Sequence, residues 1–318
     1  MKYILLLLLM PISLFAQQLP ERSPFSELAF VWNPAMTAPY DYWEAAISYR
    51  QQWLGFDNAP RTATVAAQYP FLKDNMSIGG VFTHDRIQPL KYASLAFTYA
   101  YHLKLGLNTS DQLSVGASLN ANQYLIDALE IVVTDPADAL IPVGESSSLN
   151  LNAGAGFFYS THVTKNVRRR NSRNKKSSNQ NAFYIGGAIN QVFPSDLVFK
   201  ESNNFANWKR AMHGNFLAGV ILPKEKIFLE PALWINYGNP NLYDLNVNVK
   251  MEMPEKFWAA ITYSTSSTIA LQLGVITLSG FAKDSYWRIG ALGTYNVGSF
   301  GQYRGAGFEF MVAYRYKN

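Results

Sequence analysis

Hydrophobic and polar residues alternate with a period of two along most of this 318-residue chain. The clearest example is segment 243–251, in which Tyr, Leu, Val, Val and Met alternate with Asp, Asn, Asn and Lys. Successive side chains of a β-strand point to opposite faces of the sheet, so this segment has one apolar and one polar face. The pattern predicts strands throughout the chain and no long helix.

Strand-length segments of this kind recur fourteen times. They are 43–50, 62–69, 76–83, 91–103, 112–123, 148–161 and 182–190, followed by 213–222, 227–237, 243–251, 257–264, 269–278, 286–294 and 306–316. Several have about 9–11 residues, the length of a tilted transmembrane strand. An even number of such strands, ending on an aromatic amphipathic one, predicts an all-β fold: a transmembrane antiparallel up-and-down β-barrel of about 14 strands.

The lengths of the connections favour the same architecture. Every second connection is compact, namely 70–75, 104–111, 223–226 and 252–256, with segment 162–181 as the exception. The others are mostly longer and include 51–61, 124–147, 191–212 and 295–305. Short periplasmic turns and longer outer loops are typical of outer-membrane barrels. The alternative is a water-soluble β-sandwich, whose apolar strand faces point inward.

The first residues have the features of an export signal. Lys2 is followed by an apolar run over 4–10, and Ala16 provides a small residue for cleavage. We therefore expect residues 1–16 to be a signal peptide, 17–42 an N-terminal periplasmic segment and 43–318 the outer-membrane barrel. No later stretch is apolar over the roughly 20 residues that a transmembrane helix needs.

Composition agrees with a membrane barrel and limits the chemistry. Charged residues are 15% of the chain and aromatic residues 14%, whereas soluble domains carry about 25% charged residues. The chain has no cysteine, so neither disulfides nor thiolate metal sites can form. The four histidines lie on four different segments, and no G-x-S-x-G, H-E-x-x-H or G-x-x-x-x-G-K motif occurs. The sequence therefore predicts no enzyme, no cofactor and no metal site.

Most of the net positive charge comes from the long connection 162–181. Its cations are Lys165, Arg168, Arg169, Arg170, Arg173, Lys175 and Lys176, set among Asn, Ser and Gln. Such a block repels itself, which is typical of a solvated linker or of a loop that contacts anionic lipid headgroups. The functional alternative is a docking site for an acidic periplasmic partner. We expect no nucleic-acid partner, because nothing here forms a folded surface that could bind one.

The most distinctive local sequence lies before and within the first predicted hairpin. Its pieces are FVWNPA at 30–35, YRQQWLGF at 49–56 and APRT at 59–62. Candidate site residues in these pieces are Asn33, Pro34, Arg50, Gln52, Trp53, Gly55, Pro60 and Thr62. Asn-Pro is a turn signal that keeps the preceding residue extended, and an arginine beside a tryptophan can stack or anchor at a membrane interface. Pinning of the hairpin and recognition of a partner both remain open.

In their order and spacing, the N-P-A, Y-R-x-Q-W-x-G and A-P-x-T pieces resemble the PorP/SprF family of outer-membrane proteins. The resemblance extends over essentially the whole mature chain. It implies a non-enzymatic outer-membrane barrel of the type IX secretion and gliding machinery, which contributes to export or surface anchoring of cargo through protein–protein contacts. The partners implied are type IX secretion components, the C-terminal domain of a secreted adhesin, and outer-membrane lipid.

A second functional class is compatible with the same strands. Fourteen strands enclose enough room for a pore unless loops or side chains fill it. The alternative function is therefore a passive porin or a small-molecule outer-membrane transporter.

Overall fold

The computed structural model is a closed antiparallel β-barrel of fourteen strands. It describes residues 28–106, 111–127, 145–161, 181–197, 208–224, 226–238, 242–279, 284–298 and 305–317. Among these residues, no helix is long and apolar enough to cross a membrane. The barrel confirms the predicted fold class and excludes the sandwich.

All fourteen predicted strands are present, and two short strands are added. In chain order they are β1 (Tyr42–Gln51), β2 (Arg61–Phe71), β3 (Met76–Ile87), β4 (Leu90–Leu105), β5 (Asp111–Asp127), β6 (Glu145–Ser160), β7 (Ala182–Asn190), β8 (Ser195–Leu197), β9 (Trp208–Arg210), β10 (His213–Lys224), β11 (Ile227–Gly238), β12 (Leu242–Met253), β13 (Phe257–Ser264), β14 (Thr268–Leu278), β15 (Ser285–Asn296) and β16 (Ala306–Lys317). The short strands β8 and β9 pair with each other outside the barrel wall. Two 3-10 helices, Ala29–Val31 and Pro34–Met36, precede β1.

The apolar face of each strand points outward, as a lipid-facing barrel requires. On β12, Val247 is 47% exposed and Val249 is 40% exposed, whereas Asn246 and Asn248 are buried. The same holds on β6, where Leu149 and Leu151 are exposed while the alternating Asn150 and Asn152 are buried. The alternation therefore sorts apolar side chains to the outside and polar ones to the lumen.

Pairing of the first and last strands closes the barrel. Tyr42 is in register with Lys317, and Gln51 with Phe308. We call the end where β1 begins and β16 finishes the terminal end, and the opposite end, which carries the β1–β2 connection, the hairpin end. The connection between β6 and β7, which contains the basic segment, leaves and re-enters the wall at the terminal end.

The connections follow the predicted alternation only in part. At the terminal end, the turns 72–75, 225–226 and 254–256 are short, and the β6–β7 connection is the long exception. At the hairpin end, 52–60, 128–144, 191–212 and 297–305 are long, but 88–89 and 265–267 are tight turns, and β11 and β12 are only three residues apart in the chain. Tight turns occur at both ends because antiparallel neighbours need only about two residues to reverse direction.

Candidate functional site: the luminal plug and the first hairpin

The chain that precedes β1 crosses the interior of the barrel. Leu28 lies at the hairpin end, in a small pocket that Arg50 also lines. Tyr40 stacks on Tyr42 at the terminal end, with ring centroids 5.6 Å apart. Between these points the segment packs against inward-facing residues of β1–β6, β10, β11 and β16. We call residues 28–40 the luminal plug.

Local sequence determines the bend in the middle of the plug. Asn33 separates the helices Ala29–Val31 and Pro34–Met36, and its Oδ1 accepts a hydrogen bond from Ala35 N at 3.0 Å. A side-chain oxygen at this position caps the helix, and proline suits the first helical position because its nitrogen needs no partner there. The sequence assigned this stretch to a periplasmic segment before the barrel, and the structure brings its described part into the lumen.

The centre of the plug is tied to the wall by amide side chains. Asn33 is completely buried, and its Nδ2 donates to Phe157 O at 2.9 Å. The carbonyl of Trp32 accepts hydrogen bonds from Asn190 Nδ2 at 2.8 Å and from Asn215 Nδ2 at 2.9 Å. These bonds satisfy buried polar groups of a segment that has no strand partner of its own.

The terminal half of the plug is held by the opposite arc of the wall. Ser77 Oγ donates to the carbonyl of Thr37 at 2.5 Å. The hydroxyl oxygens of Thr37 and Thr98 are 2.9 Å apart, and Ala38 N donates to Gln68 Oε1 at 2.6 Å. Together with the amide contacts, these bonds connect the plug to β2, β3, β4, β6, β7 and β10.

The buried histidine of β4 belongs to this arrangement. His102 Nε2 lies 2.9 Å from Ser77 Oγ, and its Nδ1 lies 2.7 Å from Ser114 Oγ. Because the Ser77 hydroxyl donates its hydrogen bond to the carbonyl of Thr37, its oxygen accepts a hydrogen bond from His102 Nε2. The ring proton of His102 must then be on Nε2. Both ring nitrogens are hydrogen-bonded to serine hydroxyls, so His102 helps to position the plug and has no ring nitrogen left to contact a substrate.

Two wall glycines provide the space that the plug occupies. A Cβ atom at Gly116 would lie 2.4 Å from Ala35 N, and one at Gly156 would lie 2.3 Å from Asn33 Oδ1. Real Cβ atoms do not approach other heavy atoms so closely. The close approach of the plug, by its backbone at Gly116 and by the Asn33 side chain at Gly156, explains why these inward positions lack side chains.

The first hairpin is fixed at its base by backbone bonds. Gln52 N donates to Pro60 O at 3.0 Å across the loop, and Leu54 N donates to Ala306 O at 2.9 Å on β16. The second bond joins the loop to the seam where the barrel closes. The hairpin is therefore part of the closure as well as a loop.

The tip of this hairpin presents apolar side chains to the outside. Trp53 and Gly55 both have positive φ angles, 49° and 93°, which turn the chain sharply. Trp53 is 42% exposed, and Leu54 and Phe56 are exposed to a similar extent. Large exposed apolar side chains in one cluster are typical of a contact surface for protein or membrane.

Beneath the tip, the two halves of the sequence motif meet. Arg50 and Thr62 are a buried pair in the β1–β2 register, and Glu309 is the partner of Arg50 on β16. Thr62 Oγ1 donates to Asp85 Oδ1 at 2.5 Å. Leu28 of the plug shares this pocket. Arg50 and Thr62 thus face the lumen, whereas Trp53 and Gly55 face outward.

The plug leaves two cavities in the lumen. The terminal-end chamber, of about 190 Å³, is lined by Met36 and Tyr40 of the plug and by β11, β12 and β14–β16, with Gln272 and Arg288 among its wall residues. The hairpin-end chamber, of about 100 Å³, lies against β3–β5, and the side chains lining it are uncharged. Phe30 lines both chambers.

Ion pairs line the terminal-end chamber, and in the sequence their residues differ from other polar residues only in their inward positions on the strands. Arg288 binds Glu252 through two nitrogens, at 3.3 and 3.2 Å, and lies 4.2 Å above the ring of Trp258. Arg315 pairs with Glu44 on the neighbouring strand. Paired guanidinium and carboxylate groups can remain charged inside a barrel.

The predicted docking cations 165–176 lie outside the described residues. The described strand ends show only that this connection emerges at the terminal end, the same end as Tyr42 and Lys317. Within the described part of the chain, no three His, Asp or Glu side chains cluster as metal ligands.

Comparison with known proteins agrees with the barrel and adds a family. The sequence model of the family described as "Type IX secretion system membrane protein PorP/SprF" matches residues 14–314. Among curated proteins, no sequence matches this chain.

Several solved structures have a similar fold at low sequence identity. The CymD monoaromatic hydrocarbon channel is 12% identical, with 94% of this chain and 95% of that chain covered and a TM-score of 0.53. A Pseudomonas aeruginosa FadL homologue is 9% identical, with coverages of 90% and 92% and a TM-score of 0.53. The Pseudomonas putida toluene transporter TodX is 8% identical, with coverages of 91% and 93% and a TM-score of 0.50. At these identities the likeness shows the fold alone.

Proposed function

Because this chain belongs to the PorP/SprF family of type IX secretion system membrane proteins, we propose that it is a non-enzymatic scaffold of that system. It is a β-barrel of the cell outer membrane. In this proposal it contributes to export or surface anchoring of cargo by binding proteins at its ends. The expected partners are type IX secretion components and the C-terminal domain of a secreted adhesin.

The single observation that carries this proposal is the occupied lumen. A porin conducts through a lumen that stays open. Here the plug fills the middle of the barrel, and the wall provides hydrogen-bond partners for Asn33, Thr37 and the carbonyl of Trp32. A barrel closed in this way is suited to presenting its ends to other proteins.

The hairpin end offers the better contact surface among the described residues. Trp53, Leu54 and Phe56 form an exposed apolar tip above the closure seam. Tryptophan is among the residues that contribute most to protein interfaces. We propose that this tip contacts cargo or a secretion component, with lipid interface anchoring as the competing role.

The contact role can be tested by changing Trp53→Ser in the native host and measuring cargo secretion. We expect reduced secretion at an unchanged amount of folded barrel, scored by heat-modifiable electrophoretic mobility. Leu72→Ser is the matched control, because Leu72 is an equally exposed apolar residue in the β2–β3 turn at the other end. Equal secretion by both variants and the unchanged protein would contradict the proposed contact.

The basic segment 165–176 is proposed as a tether to acidic periplasmic machinery. Its strand ends lie at the terminal end, together with both chain ends of the barrel. Replacing its seven cations with Ser should reduce secretion while leaving barrel abundance constant. Unchanged secretion would eliminate the tether and leave the solvated loop or the lipid contact.

The alternative function, a passive porin or small-molecule transporter, has one observation in its favour. Two chambers remain beside the plug, and the barrels with a similar fold include one named as a monoaromatic hydrocarbon channel and one named as a toluene transporter. A steady open conductance of the unchanged protein in a planar bilayer would favour this alternative.

A further inference from the structure

The plug is the partition between the two luminal chambers. Phe30 lines both of them, while Met36 and Tyr40 face the terminal-end chamber and Trp32 faces the hairpin-end chamber. Among the described residues, the same thirteen-residue segment 28–40 thus forms the inner side of each cavity. If this segment leaves, the two chambers merge.

Each chamber extends toward a different mouth of the barrel. The terminal-end chamber reaches Glu255 in the β12–β13 turn and Leu278 at the last position of β14. The hairpin-end chamber reaches Tyr92 near the start of β4 and Gln191 just after β7. A merged cavity would therefore run along the length of the barrel interior.

The lining of this path is wettable. The terminal-end chamber is lined by charged groups, including Lys250 and Arg288, and by the side-chain amide of Gln272. The hairpin-end chamber carries Asn, Ser and Thr side chains such as Asn120 and Ser94. Water and small ions enter cavities that offer such polar partners.

Without the plug, the barrel is wide enough to hold a water-filled channel. Eight strands enclose an interior that side chains fill, and 16–18 strands leave an aqueous channel. Fourteen strands lie between these sizes, and here the remaining interior holds a complete peptide segment as well as two cavities. Displacement of the plug would therefore free the volume that it now occupies and join it to the two cavities.

We infer that the barrel has a second, latent activity, which is conduction of small hydrophilic solutes and ions through its lumen when the plug is displaced. This activity goes beyond the proposed scaffold role and does not depend on it. The hairpin-end part of the plug lies beside Arg50, so a protein that binds the first hairpin is well placed to displace it.

The test expels the plug by a side chain on the wall. In Gly116→Leu, the new Cβ would lie 2.4 Å from the plug backbone at Ala35 N, so the plug must move. Gly80→Leu is the matched control, because a Cβ there meets nothing within 4 Å. Current is measured in planar bilayers with KCl, on barrels whose folding is verified by heat-modifiable mobility.

We expect no current from the unchanged protein and Gly80→Leu, and stepwise current from Gly116→Leu. In a second variant, residues 28–38 are replaced by a Gly-Ser sequence of equal length. This replacement removes the side-chain contacts between the plug and the wall, so the variant should conduct as well. It decides the question if Gly116→Leu does not fold. Folded but silent variants would overturn the inference, as would the same current from Gly80→Leu or from the unchanged protein.

Discussion

Loss of the Asn33 side chain should release the plug while leaving the barrel wall intact. Asn33→Ala removes the two hydrogen bonds that Asn33 Nδ2 donates to the wall, to Phe157 O at 2.9 Å and to Gly187 O at 3.4 Å. Each neutral hydrogen bond contributes about 1 kcal/mol, so displacement of the plug should become easier by about 2 kcal/mol. Such a change corresponds to a roughly 30-fold higher population of the displaced state.

Labelling of a single cysteine measures this population. The natural chain has no cysteine, and Ala35 is completely buried, so Ala35→Cys reacts with a maleimide only when the plug moves. In this background, Asn33→Ala should raise the labelling rate roughly 30-fold, as followed by mass spectrometry.

A second buried asparagine provides the control. Asn248 is buried like Asn33, but its Nδ2 donates to Thr262 Oγ1 at 2.8 Å, between two strands of the wall. Asn248→Ala should leave the labelling of Ala35→Cys unchanged. Equal labelling rates in the Asn33→Ala and Asn248→Ala proteins would refute the conclusion that Asn33 holds the plug against the wall.

Two further predictions concern the stability of the wall, measured by urea unfolding in lipid vesicles. Glu252→Gln should destabilise the barrel by about 3 kcal/mol, because it removes a carboxylate paired with the buried Arg288; unfolding at the original urea concentration would contradict this. Gly274→Val should also destabilise, since a Cβ there would lie 2.1 Å from the ring of Trp258. Gly293→Val, where a Cβ meets nothing within 4 Å, should unfold like the original protein, and equal stability of both valine variants would disprove the role of the ring.

The alternation of side chains was sufficient to predict the barrel strands. The predicted bounds of segment 257–264 are the same as those of β13, and segment 243–251 lies within β12. The strands β4 and β5 extend further than predicted, to Leu90 and Asp127 at the hairpin end. Beyond the apolar band, the pattern weakens because neither face contacts lipid.

The candidate site was predicted only as separate pieces. Asn33 and Arg50 were singled out by a turn signal and a motif, but nothing in their order placed one in the lumen and the other beside the plug. The sequence did not identify Ser77 and Gln68, which hydrogen-bond to the plug. They look like ordinary inward polar residues of strands, and no sequence signal separates them from their neighbours.

The sequence by itself determined the strands, their inner and outer faces and the barrel class. A period of two is a local property, and each strand must match lipid on one side and a polar lumen on the other. Only the tertiary structure decided that the lumen is occupied. The plug has no period, and its bonds join residues far apart in the chain, such as Trp32 to Asn215. Those contacts join strands that the closed wall holds around the plug, so the tertiary arrangement of the whole barrel, and no local pattern, creates the site.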